Sequence, residues 1–115
     1  MQNHFRVETC KHDRATVVLI ASGGLDLASS PALDEELRRI DESDVEFVIV
    51  DLRKLEAIDS TGLTVLVKAG QRAEEAGKRF ALVKGGQQVE RLVNLTGVAG
   101  RLAVVDTPVE LLGGG

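Results

Sequence analysis

An apolar run, Phe47-Val48-Ile49-Val50, stands a dozen residues ahead of a second run in which Leu63, Leu66, Val67 and then Ala73 recur at helical spacing. The first reads as a strand buried on both faces, the second as a helix with one apolar stripe. Between them lies a polar corner, Asp59-Ser60-Thr61-Gly62, where hydroxyls meet a helix N-terminus. A buried strand that feeds an amphipathic helix requires a layered α/β arrangement, and the rest of the chain repeats the pattern.

Residues 5–10 alternate through Phe5, Val7 and Thr9, which predicts a first strand with one wetter face. Lys11 to Arg14 form a polar turn. Ala15 to Ala21 give a second, β-branched strand close enough to the first for an antiparallel hairpin. Ser22-Gly23-Gly24 breaks the run, and Leu25-Asp26-Leu27 follows as a loop. A helix then starts with Ser29 or Ser30 as its cap and Pro31 in its first turn, and Leu33, Leu37 and Ile40 form its apolar stripe. Asp41 to Asp44 return the chain to a third strand, Glu46 to Asp51.

The helix after the corner runs to about Ala76 and stops at Gly77. Lys78 to Lys84 predict a fourth strand. Gly85-Gly86 leads into a third helix with Val89, Leu92, Val93 and Leu95 on its buried side. Leu102 to Val105 give a short fifth strand, and residues 108–112 a last short helix. The order is ββαβαβαβ(α): one α/β domain over residues 1–115, core about 5–112, with a mostly parallel mixed sheet and an antiparallel edge hairpin.

Composition narrows the function. A chain of 115 residues buries about two-thirds of its unfolded surface without staples. Three Phe and no Trp or Tyr leave few platforms for stacking bases. A formal net charge of −4 offers no basic footprint for nucleic acid. The lone Cys10 fits a reducing cytoplasm, and no apolar run approaches the ~20 residues of a membrane helix or forms a signal-peptide core.

The chain has no phosphate loop, dinucleotide fingerprint, Cys-x-x-Cys or His-Glu-x-x-His pattern. His4 and His12 lie in the first dozen residues, so a triad with Ser60 would require one of them to reach across the domain. The expectation is a protein that is not an enzyme and that needs neither cofactor nor metal. Asp51 and Asp26 close strands at their carboxyl ends, where parallel sheets place ligands, but either also fits a loop-ordering acceptor. Ser60 has two readings as well. Asp, Ser and Thr are preferred N-caps, worth ~1 kcal/mol, yet here three stand in a row. Gly62 costs ~1 kcal/mol relative to Ala inside a first turn. It makes sense there if another backbone comes close or if the hydroxyl must stay accessible. Spacing alone leaves cap and functional site both open.

Val50-Asp51-Leu52 followed by Ile58-Asp59-Ser60-Thr61-Gly62-Leu63 resembles the signature of STAS-domain anti-sigma factor antagonists. Gly24-Leu25-Asp26-Leu27-Ala28 ahead of Pro31-Ala32-Leu33 resembles that family's loop and first helix. Ala76 to Val83 resembles its helix-to-strand turn, and Val89, Leu92 and Leu95 with Thr96-Gly97 its third helix. The resemblance covers nearly the whole chain and implies a switch. Ser60 would be phosphorylated by a partner that is both anti-sigma factor and serine kinase, and a serine phosphatase would reset it. The unphosphorylated form would bind the partner and free a sigma factor. Asp26, Asp59, Ser60, Thr61, Gly62 and Leu63 would form the partner-binding corner. The alternative within the same fold is a STAS interaction module of a signalling scaffold or transport complex that is never phosphorylated. A nucleotide-binding domain is a further alternative, disfavoured by the missing phosphate loop.

Overall fold

The computed structural model describes residues 4–87, 89–91 and 103–105. The chain forms β1 (Arg6–Lys11), β2 (Thr16–Leu25), α1 (Ser30–Asp41), β3 (Phe47–Ile58), α2 (Ser60–Glu75), β4 (Arg79–Val83) and β5 (Ala103–Val105). A further helical segment opens at Gln87. The strands make one sheet in the order β1-β2-β3-β4-β5. β1 and β2 pair antiparallel, and every later neighbour is parallel. The sheet is therefore the mixed one that the hydrophobic pattern implies.

Each crossover from β2 to β4 steps to the adjacent strand in one direction, so right-handed connections put α1 and α2 on the same face. That face holds the main core. Leu33, Leu37 and Ile40 of α1 and Leu63, Leu66 and Ala69 of α2 pack on Val17, Leu19, Ala21, Val48, Val50 and Leu82. The opposite parity carries a second cluster of Phe47, Ile49, Ala81 and Val83, with Val18 and Val105 against it. Phe47 to Leu52 are all buried, as a central strand covered on both faces must be. Val89 is buried too. The buried positions predicted for Leu92, Val93 and Leu95, the turn at Thr96-Gly97 and the helix over 108–112 lie outside the described residues.

Two strands are longer than the sequence predicts. β2 does not break at Ser22-Gly23-Gly24 but continues to Leu25, and β3 continues past Asp51 to Ile58. The extensions pair with each other: Ser22 with Lys54, Gly23 with Leu55, Gly24 with Ala57 and Leu25 with Ile58. β4 stops opposite Asp51, so this part of β3 lies beyond its other neighbour. Leu52 and Leu55 still point into the core while Arg53, Lys54 and Glu56 meet solvent. A strand half out of the sheet carries polar residues and so reads as a loop. The effect on the site is direct: the corner at Asp59 is delivered by rigid sheet.

Ionic contacts hold the two helices in place. Arg72 of α2 donates through Nε to Asp41 at 2.9 Å and stands 3.7 Å from Asp34, both on α1. Lys78 Nζ donates to the carbonyls of Asp41 at 2.8 Å and Ser43 at 3.0 Å. Gly77, at φ +73°, takes the left-handed turn that ends α2, as its place after the last helical residue predicts.

Candidate functional site

The structure resolves what caps α2. Asp59 is the N-cap, with extended backbone, and its Oδ1 accepts the Gly62 amide at 2.9 Å. Its Oδ2 accepts the Leu27 amide at 3.2 Å, which ties the start of α2 to the loop between β2 and α1. The Asp59 amide in turn donates to Leu25 O at 3.0 Å. Ser60 is the first residue of the helix and is exposed. Among the described residues nothing hydrogen-bonds its hydroxyl; its carbonyl accepts Thr64 Oγ1 at 2.8 Å. Ser60 is thus free of the structural task that spacing allowed it.

Gly62 is explained by close approach. A Cβ there would stand 2.6 Å from Leu25 Cγ and 3.0 Å from Leu25 O. Leu25 is buried at the end of β2, so the corner seats on the sheet only because this position lacks a side chain. Gly62 and Leu63 are themselves buried, and the Leu63 side chain belongs to the core. They support the corner from below, whereas Ser60 is exposed and Thr61 half-buried above.

Asp26 lies in the loop that Asp59 holds. Its Oδ1 accepts the amides of Ala28 and Ser29, each at 3.0 Å. The Ser29 hydroxyl donates to Gly24 O at 2.8 Å and accepts the Asp26 amide at 2.9 Å. Neither serine caps α1 in the manner predicted. Ser29 occupies the N-cap position without a side-chain cap bond, because its hydroxyl faces back into this loop. The Ser30 amide and hydroxyl both donate to Asp26 O. The loop is therefore a braced turn whose tip, Leu27, is 73% exposed.

Asp51 is not at a strand end and does not face the corner as a free ligand. It sits inside β3 with its side chain buried, where β3 carries one extra residue opposite Ile20 and Ser22. Its carboxylate accepts the Arg53 amide at 3.0 Å and the Arg53 guanidinium at 2.7 Å. Burial alone would raise this carboxyl, but the Arg53 hydrogen bonds and charge outweigh it and hold Asp51 below the usual carboxylate range. Of the two sequence readings, the structural acceptor is the one observed.

Beside Ser60 a shallow groove of about 360 Å³ runs between the helices, lined by Asp34 and Arg38 of α1 and by Ser60, Thr61, Thr64, Val65 and Lys68 of α2. Arg38 and Lys68 belong to no motif in the sequence, and Leu27 reads there only as a loop residue. A leucine between Asp26 and Ala28 in a polar turn was the available signal. The site as built holds an exposed hydroxyl at a helix N-terminus, carboxylates on one side and a groove with two cations on the other. Such an N-terminus favours a negative group. Cys10 is exposed on β1. Among the described residues, no helix is long and apolar enough to cross a membrane.

A mixed sheet with two helices on one face and a serine at the first position of the second helix defines an α/β module with an exposed hydroxyl at a helix N-terminus. The STAS domain family profile matches residues 6–110, and the chain belongs to that family. An anti-sigma F factor antagonist of Paenibacillus polymyxa is 26% identical over 106 residues, spanning 89% of this chain and 88% of that protein. An anti-sigma factor antagonist from Mycobacterium paratuberculosis superposes with a TM-score of 0.87 at 23% identity, covering 96% of this chain and 92% of the other. The anti-sigma factor antagonist SpoIIAA in its unphosphorylated form gives 0.79 at 19% identity, with 93% of each chain covered.

Proposed function

We propose that this chain is an anti-sigma factor antagonist and that Ser60 is its phosphoacceptor. The observation that carries the reading is the division of labour at the corner. Asp59 caps α2 through the Gly62 amide, which leaves the Ser60 hydroxyl exposed and uncommitted. The kinship to antagonists, one of them described in an unphosphorylated form, supports the same reading.

In this reading the unphosphorylated protein binds a cognate anti-sigma factor that is also a serine kinase, and a sigma factor is released. The kinase transfers a phosphoryl group to Ser60, and a serine phosphatase removes it. The protein works in the cytoplasm as substrate and ligand, not as catalyst. Phosphorylation adds about −1.5 to −2 charges and three acceptor oxygens. At a helix N-terminus that anion is tolerated by the fold. Beside Asp59 and Asp26 it makes the surface strongly negative, and burying it against a partner costs desolvation and repulsion. The switch then needs no refolding, only rejection at the surface.

The test compares the affinities of Ser60→Ala and Ser60→Asp for the cognate kinase. The alanine variant binds as the unmodified chain does, and the aspartate variant binds at least about tenfold more weakly. Equal affinities rule the reading out.

A further inference from the structure

We propose that Leu27 is the apolar anchor by which the partner docks, so that partner recognition rests on the loop beside Ser60 as well as on the serine's own corner. This rests on the switch reading above and adds to it where the partner grips. A singly exposed leucine needs no explanation in general. Leu27 differs in three respects.

It is 73% exposed and is the one exposed large apolar side chain among the described residues. The turn that carries it is braced from both sides. Asp59 Oδ2 accepts its own amide, Asp26 Oδ1 accepts the next two amides, and the Ser29 hydroxyl closes the turn onto Gly24 O. A side chain carried on a braced backbone loses little backbone freedom on docking, which lowers the cost of burying it. Finally, Leu27 is fixed by hydrogen bond to the residue that immediately precedes Ser60. The turn that carries Leu27 is thereby tied to the residue next to Ser60, at the face a kinase must approach.

The chemistry of the complementary surface follows. Leu27 fits an apolar pocket about one leucine side chain deep. Asp26 and Asp59 flank it with carboxylates that already accept the loop's own amides, so the rim of that pocket carries neutral amide or hydroxyl donors rather than cations. This is the usual arrangement of an interface anchor, a desolvated apolar centre inside a polar rim. A phosphate on Ser60 then meets a partner surface that supplies no countercharge, consistent with its rejection in the switch.

Each anti-sigma serine kinase of the source organism is purified and offered to the unmodified chain, Leu27→Ser and Leu27→Met, and both affinity and phosphorylation kinetics are measured. The expected result is a loss of about tenfold or more in affinity for Leu27→Ser, with KM raised, kcat kept and Tm unchanged. Leu27→Met stays within about threefold, since it refills the pocket. Leu27→Ser within about twofold of the unmodified chain in both Kd and KM overturns the anchor while leaving the switch intact. If no kinase binds or phosphorylates the unmodified chain, the switch reading fails and the anchor falls with it.

Discussion

Asp59 reaches across to Leu27 and accepts its amide at 3.2 Å, which locks the start of α2 to the loop ahead of α1. The other oxygen of the same carboxylate caps the helix through Gly62. One side chain thus builds the corner on which Ser60 stands. Replacing it removes an N-cap, worth about 1 kcal/mol, and a loop hydrogen bond of similar size. Asp59→Ala is expected to lose about 1–2 kcal/mol in urea unfolding, and Asp59→Asn less, because an amide oxygen still accepts.

Ser60→Ala, by contrast, should leave stability within about 0.5 kcal/mol. The hydroxyl is exposed and makes no hydrogen bond among the described residues. Parallel urea titrations of Ser60→Ala and Asp59→Ala separate the two roles directly. A loss in Ser60→Ala equal to that in Asp59→Ala would show that the serine shares the capping.

Gly62→Ala sets two effects against each other. Alanine favours a helix by up to ~1 kcal/mol, but its Cβ would stand 2.6 Å from Leu25 Cγ and close to the Leu25 carbonyl. Overpacking of that kind costs about 1–3 kcal/mol, and the backbone contact cannot be relieved by a rotamer change. The net expectation is destabilisation of about 1–2 kcal/mol. Gly86→Ala, where nothing lies within 4 Å, is the control and stays within about 0.5 kcal/mol.

Asp51 gives a pH signature. Its carboxyl is held low in the folded chain by Arg53 against the opposing effect of burial, so the ionised form stabilises the fold. That contribution is fully present above the unfolded value, about pH 4, and is lost as pH falls through the lowered native value. Stability measured from pH 6 down to pH 2 should fall less steeply below pH 4 in Asp51→Asn than in the unmodified chain. Equal slopes would show that the Asp51–Arg53 pair has no linkage to folding.

The parts of this fold that were legible in the sequence are those where periodicity is undiluted. Phe47 to Val50 is covered on both faces and reads as a buried strand; Leu33, Leu37 and Ile40 form one stripe and read as a helix. The extensions of β2 and β3 were not legible, because Gly23-Gly24 and Arg53-Lys54 look like loop when only one neighbouring strand supports them. At the corner, Asp59 and Ser60 are equally good caps by residue type. Only the backbone decides: Asp59 is extended and Ser60 is already helical, so the carboxylate is the one that reaches Gly62. Leu25 and Leu27 pose the same problem. They are two residues apart in one polar turn, yet the first ends β2 in the core and the second tips the loop into solvent.

The central claim is that Ser60 is a phosphoacceptor held clear of structural duty. Its most direct test is intact-mass and site-mapped analysis after incubation with the cognate kinase and ATP. The account predicts a single phosphoryl group on Ser60, absent from Ser60→Ala, although that variant still binds the kinase. A phosphoryl group on Thr61 or elsewhere, or an equal yield on Ser60→Ala, contradicts it.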